Sequence, residues 1–248
     1  MRVYFRKGMW MHQEKDVTFV DSPTLDYHSA IFRTWVNELE TAVANVTDCW
    51  FHVYKPRPGD LIIDAGAGKG EDAIVFSRAV GPTGKVLAIE AHPVTFRCLR
   101  LFCELNHLRN VATTNFAIID GARPVAIQNL KGWQASSIVA LDAKDSLRVS
   151  GVVLDELVER ESVRHIDFLK MNIEGAEALA IRGMEQTLRI TRALCISCHD
   201  FRADSGEGEF FRTKRLIQGA VERAGFRVVL RDTDPRPDVA NQVNAVRE

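Results

Sequence analysis

The chain has 248 residues, 46% apolar and 26% charged, with 32 Lys and Arg against 33 Asp and Glu, for a formal net charge of −1. That length suits one large domain with a substantial core, and the composition argues against both disorder and a membrane class. Balanced charge exerts no general pull on polyanions, so neither nucleic acid nor an anionic membrane surface is expected as a partner.

Met1 to Gln13 interleaves Arg2, Arg6, Lys7 and His12 with apolar residues, so it lacks the continuous apolar run of a signal peptide or membrane span. A cytoplasmic chain is expected. Its five cysteines, an odd number, fit reduced thiols better than a disulfide framework. Residues 1–57 read as an N-terminal extension. Weak alternation (Val3, Phe5; Val17, Phe19) suggests short extended segments up to Asp21-Ser22-Pro23, and apolar residues at Ile31, Trp35, Leu39, Val43 and Val46 predict a helix from Tyr27 to about Trp50. Lys55-Pro56-Arg57-Pro58-Gly59 then breaks the pattern.

Residues 58–248 read as one domain of alternating strands and helices. Strands are expected at Leu61–Ile63, Lys85–Ile89, Val111–Ile119, Ile166–Ile173, Ala193–Cys198 and Phe226–Leu230. Helices are expected at Asp72–Val80, Val94–Leu105, Ala176–Leu188 and Phe210–Ala224. Between Pro124 and Val153, alternating segments separated by polar turns suggest an inserted hairpin or meander. Repeated βα units imply a doubly wound α/β fold, a mostly parallel sheet with helices on both faces.

The most informative segment is Leu61-Ile-Ile-Asp-Ala-Gly-Ala-Gly-Lys-Gly-Glu71, a glycine loop between a strand and a helix, where a doubly wound sheet binds nucleotide-type ligands. Gly66, Ala67, Gly68 and Gly70 allow the backbone to approach a ligand. A dinucleotide fingerprint requires glycine where Glu71 stands, and the carboxylate there would repel a pyrophosphate. Lys69 is followed by Gly70 rather than Ser or Thr, which excludes the phosphate-cradling loop. Asp64, at the first strand's end, suits a cationic ligand group; Glu90, closing the second strand, suits both hydroxyls of a ribose.

Four stretches, Asp64-Ala-Gly-Ala-Gly-Lys-Gly70, Ile89-Glu90-Ala-His-Pro93, Val152-Val-Leu-Asp-Glu-Leu157 and Asp167-Phe-Leu-Lys-Met-Asn-Ile-Glu-Gly-Ala-Glu177, resemble the FkbM-type methyltransferases, over about Pro58 to Phe226. The last stretch is the most specific. The resemblance implies a seven-stranded sheet with one antiparallel edge strand, S-adenosylmethionine as cofactor, and O-methylation of a hydroxyl on a sugar, lipid or secondary metabolite. Ala91, Ala117 and Asn172 are then expected at the cofactor with the glycine loop, Glu71 and Glu90. Asn172 departs from the family, which usually carries Asp there; an amide still hydrogen-bonds but removes no proton.

His199 and Asp200 follow the apolar run Ala193–Cys198 and are placed at the ligand-binding edge of the sheet, His199 as the expected general base and Asp200 as its orienting group, a cap of the following loop or a metal ligand. Glu174 is a further catalytic candidate; Glu177 reads as a carboxylate favoured at a helix start. No metal requirement is expected, because Asn172 withholds a charge from any hard-cation site. Cys195-Ile-Ser-Cys198-His199 matches haem-attachment and redox patterns in form, but within a strand its two thiols point to opposite faces. The chemistry expected is attack of a substrate oxygen on the sulfonium methyl, aided by alignment and desolvation. Weighed against it are a cofactor-binding module that has lost catalysis and a nicotinamide oxidoreductase. A small hydroxylated molecule is the expected partner, and the aromatic N-terminal segment would cover the substrate side or form a homodimer contact.

Overall fold

The computed structural model describes residues 2–23, 37–129 and 136–247. The chain begins with an antiparallel sheet of β1 (Arg2–Arg6), β2 (Met9–Glu14) and β3 (Val17–Asp21) in sequential order. Alternation gives this sheet one apolar face: Met9, Met11, Val17 and Phe19 are buried together. The described part of the predicted helix is α1 (Glu38–Asn45), followed by a single π turn at Val46–Trp50. Tyr27, His28, Ile31 and Trp35 lie outside the described residues.

The main domain runs β4 (Leu61–Ala65), α2 (Glu71–Val80), β5 (Lys85–Ile89), α3 (Pro93–Leu105) and β6 (Val111–Thr114). A smaller sheet follows, made of β7 (Ala117–Ile118), β8 (Pro124–Gln128), β9 (Ile138–Val139) and β10 (Ser146–Val152) in the order β7-β10-β8-β9. Then come α4 (Leu154–Arg160), β11 (Ile166–Met171), α5 (Glu177–Ala180), α6 (Glu185–Ile190) and β12 (Thr191–Ser197). The described chain closes with α7 (Asp200–Asp204), α8 (Lys214–Arg223), β13 (Arg227–Leu230), α9 (Pro237–Ala240) and β14 (Gln242–Val246).

Seven strands form the large sheet in the order β13-β14-β12-β11-β4-β5-β6. All neighbours are parallel except β14, which runs antiparallel to both β12 and β13. The antiparallel strand therefore lies one place inside the edge and not on it as expected. Central strands are apolar on both faces because helices cover both. Ile63, Leu169 and Leu194 pack with α4, α6 and α8, whereas the neighbouring Ile62, Phe168, Ala193 and Cys195 pack against Phe76 and the π turn. Cys195 and Cys198 lie in different core clusters, as the two-residue period of a strand requires.

Two expected elements are broken in the fold. The strand predicted over Val111–Ile119 divides at Asn115, whose side-chain amide donates to the Glu90 and Ala91 carbonyls at 2.7 and 3.0 Å. That capture turns Ala117 out of the large sheet and into the small one. The helix predicted over Ala176–Leu188 divides at a 3-10 turn, Ile181–Gly183, after which Asp155 of α4 accepts the Gln186 and Thr187 amides at 2.9 and 2.6 Å and starts α6.

Candidate active site

The carboxyl ends of β4, β5 and β11 surround a cleft of about 440 Å³. Gly66 makes their convergence possible. Its φ is +81°, and a Cβ on it would lie 1.8 Å from the Asn172 carbonyl oxygen. Around it, the Gly66 and Ala67 amides donate to the Ile89 carbonyl at 2.8 and 3.0 Å, and the Asn172 amide donates to the Ala65 carbonyl at 2.9 Å. Gly66, Ala67, Gly68, Glu71, Glu90, Ala91, Ala117, Asn172 and Glu174 all line this cleft.

Glu90 accepts the Gly68 amide on Oε2 at 3.0 Å and the His92 amide on Oε1 at 2.8 Å. Burial raises its pKa to about 7 against the opposing pull of those two hydrogen bonds. The Asn172 Oδ1 atom is buried with no hydrogen-bond partner among the described residues. Glu174 sits at φ +55° directly before Gly175 and lines the cleft.

Two residues expected at the ligand are placed elsewhere. Asp64 has no accessible surface; its Oδ1 accepts from Lys170 Nζ at 2.8 Å, and Lys170 also donates to the Gly66 carbonyl at 2.7 Å. Its charge is thus spent on a buried lysine that props the glycine loop from beneath. Gly70 precedes α2 at φ +107°, where a Cβ would meet Phe102 at 2.8 Å, so it serves helix packing and does not line the cleft.

A second cleft, about 640 Å³, is lined in part by Asn45, Asp72, Asn172 and Glu174, which also line the first. His199 lines this second cleft only. Its Nδ1 lies 3.0 Å from Glu177 and its Nε2 lies 3.4 Å from Glu174. Burial alone would lower its pKa, but the hydrogen bonds and charges of the two glutamates outweigh burial and raise it to about 9. An imidazolium held between two carboxylates at neutral pH is a poor base, which weighs against the expected role. Asp200 hydrogen-bonds elsewhere: its Oδ2 accepts the Thr213 and Lys214 amides, both at 2.9 Å, and starts α8. Glu177, buried, accepts the Ile173 and Gly175 amides at 3.3 and 3.2 Å.

Lys170, Asp72 and Trp50 were not among the expected site residues. A lysine inside a central strand is itself a signal, since a buried ammonium requires partners. Trp50 Nε1 donates to Asp72 Oδ2 at 2.9 Å, a pairing across 22 positions that no local pattern displays. The glycine loop has a further support: Lys69 Nζ lies 2.6 Å from Asp21 Oδ1 and 3.0 Å from Glu71 Oε1. His12 joins the group, with Nδ1 3.3 Å from Asp21 and Nε2 3.5 Å from Glu38.

A family model of the methyltransferase FkbM domain matches residues 64–228. No curated protein matches the chain. Among solved structures, methyltransferase FkbM from Methylobacillus flagellatus is 15% identical with a TM-score of 0.52, covering 92% of this chain and 62% of that one. A putative rRNA methylase from Clostridium thermocellum is 11% identical with a TM-score of 0.51, covering 85% and 94%. Aeropyrum pernix fibrillarin, crystallised with natively bound S-adenosyl-L-methionine, is 15% identical with a TM-score of 0.50, covering 99% and 98%. At these identities the likeness is one of fold, a class I methyltransferase sheet.

Proposed function

The chain belongs to the methyltransferase FkbM domain family, and from that membership we propose that it methylates a hydroxyl oxygen on a small molecule. S-Adenosylmethionine is its cofactor and supplies a methyl group made electrophilic by the sulfonium centre.

The residues present fit that group. A volume of about 440 Å³ falls within the ordinary range of small-molecule sites. Each Glu90 oxygen already accepts one backbone N–H and keeps a lone pair for a ribose hydroxyl. The unpartnered Asn172 Oδ1 suits an ammonium donor, and the loop at Gly66–Gly68 presents backbone without side-chain obstruction.

The observation that carries the reading is the junction of two clefts. One is bounded by the glycine loop and Glu90; the other opens beside it across Asp72, Asn172 and Glu174. Two ligands entering by separate clefts would meet at those side chains, which is the arrangement that alignment and desolvation require. His199, held as a cation between Glu174 and Glu177, keeps Glu174 in place and takes no proton. A dissolved hydroxylated acceptor in the cytoplasm accords with five buried free cysteines, and among the described residues no helix is long and apolar enough to cross a membrane. Glu71 in the lining opposes the pyrophosphate of a nicotinamide cofactor.

The test is incubation with methyl-labelled S-adenosylmethionine and a panel of hydroxylated metabolites, with mass spectrometry of the products. Transfer to oxygen is expected. Products methylated only on nitrogen or carbon would refute the acceptor class, and adenosylhomocysteine binding without any transfer would mark a module that has lost catalysis through Asn172.

A further inference from the structure

With His199 occupied as a cation, the reaction proposed above lacks a proton acceptor, and the junction of the two clefts supplies one. We propose that Asp72 is the catalytic residue that takes the acceptor's hydroxyl proton, an inference that rests on the O-methylation reading.

Asp72 stands in the first turn of α2 and lines both clefts. Both of its close polar contacts fall on Oδ2: the Trp50 indole N–H at 2.9 Å and the Lys170 ammonium at 3.7 Å. Oδ1 has no such contact among the described residues, so one oxygen is clamped and the other is left unengaged on a side chain that lines both clefts. The lysine does not consume the carboxylate's charge, since it sits closer to Asp64 Oδ1 and the Gly66 carbonyl, at 2.8 and 2.7 Å. Asn172 and Glu174 face the same junction, but an amide takes no proton and Glu174 is engaged by Arg202 at 2.9 Å and His199 at 3.4 Å.

The surroundings also tune the group. Burial, acting with Asp64 on β4 and Glu71 on its own helix, raises the Asp72 pKa to about 6, while Lys170 on β11 and the Trp50 hydrogen bond oppose the rise. A carboxylate in that range is ionised at neutral pH yet more basic than an exposed aspartate, which suits proton removal. As the acceptor oxygen bonds to the methyl carbon, the carbon–sulfur electron pair stays on sulfur and the hydroxyl proton passes to Asp72 Oδ1.

The experiment compares wild type, Asp72→Asn and Trp50→Phe, using transfer to the panel together with adenosylhomocysteine binding. Asp72→Asn keeps the hydrogen-bond acceptor for Trp50, so adenosylhomocysteine affinity is expected to stay nearly constant while kcat falls about 10²–10⁴-fold. Trp50→Phe removes a donor that stabilises the carboxylate, so the acid limb of the kcat profile should move to higher pH. Independently of turnover, the Trp50 indole N–H resonance of the adenosylhomocysteine complex should titrate as pH falls through about 6, and should be flat in Asp72→Asn. Wild-type kcat in Asp72→Asn, or an indole signal that ignores pH, overturns the assignment and leaves the methyltransfer reading intact. Absence of transfer by wild type to every acceptor overturns that reading and this one with it.

Discussion

His199 and Glu90 are both titratable, buried and on the ligand-binding edge, yet the structure gives them opposite electrostatics. The His199 pKa rises from 6.5 to about 9, so its ion pairs stabilise the fold fully below pH about 6.5 and that contribution is lost as pH rises through about 9. The shift corresponds to something on the order of 3 kcal/mol. Urea unfolding of wild type and His199→Gln is expected to show the larger gap near pH 6 and a small one above pH 9. A constant gap would contradict the ion pairing. Glu90 titrates near pH 7, so adenosylhomocysteine should bind more weakly as pH falls through neutrality, where the carboxylate becomes protonated. Glu90→Ala should weaken binding by about 1–3 kcal/mol through unpaired ribose hydroxyls and abolish the pH dependence; calorimetry at pH 6 and 8 measures both. The position of Glu90 was legible in the sequence because a strand end and a glycine loop fix it. The state of His199 was not, because it depends on Glu174 and Glu177 across a turn that only the fold closes.

At the scale of elements, the strands were readable wherever apolar runs were continuous and flanked by turn residues, as in β4, β5, β11 and β12. The meander was readable too, since the short apolar stretches in Pro124–Gln128, Ile138–Val139 and Ser146–Val152 are separated by polar turns, although only the last alternates along its length. Misreadings came where a side chain hydrogen-bonds to the backbone of another element and so sets a boundary: Asn115 dividing the third strand, Asp155 starting α6, Asp200 starting α8. The glycine loop offers a controlled test of such closeness. Gly66→Ala places a methyl 1.8 Å from the Asn172 carbonyl, whereas Gly206→Ala at φ +86° meets nothing within 4 Å. Both sit in left-handed backbone and share a cost of about 1–2 kcal/mol. Gly66→Ala should lose a further 1–3 kcal/mol, roughly, to overpacking and should lose adenosylhomocysteine binding. Equal melting temperatures for the two variants would show that β4 and β11 give way more easily than the geometry implies.

Across the whole molecule, the N-terminal sheet is joined to the cofactor loop by charge as well as by apolar contact. Asp21 and Lys69 are each 2% exposed in their side chains and lie 2.6 Å apart. Removing one partner of a buried pair costs about 3–5 kcal/mol when the other is left uncompensated, but Glu71 at 3.0 Å still meets the lysine. Asp21→Asn should therefore lower stability by less than that, on the order of 1–3 kcal/mol, and fluorescence and circular dichroism should still report one shared unfolding transition. Loss of the N-terminal signal well before the rest would show that the extension is only loosely attached. Nothing in the sequence announced this link, because its residues are 48 positions apart.

The placement of β14 bears on how the chain is made. Its residues, 242–246, are the last to be synthesised among those in the large sheet, yet they fill the gap between β12 and β13. Until they leave the ribosome, β13 has no strand to pair with and β12 presents an open row of amides and carbonyls. Such an edge is a template for pairing with another chain. A nascent chain stalled, or an mRNA truncated, before codon 242 would therefore yield a protein with the complete glycine loop and an exposed, apolar strand edge, prone to aggregate rather than merely to lose activity.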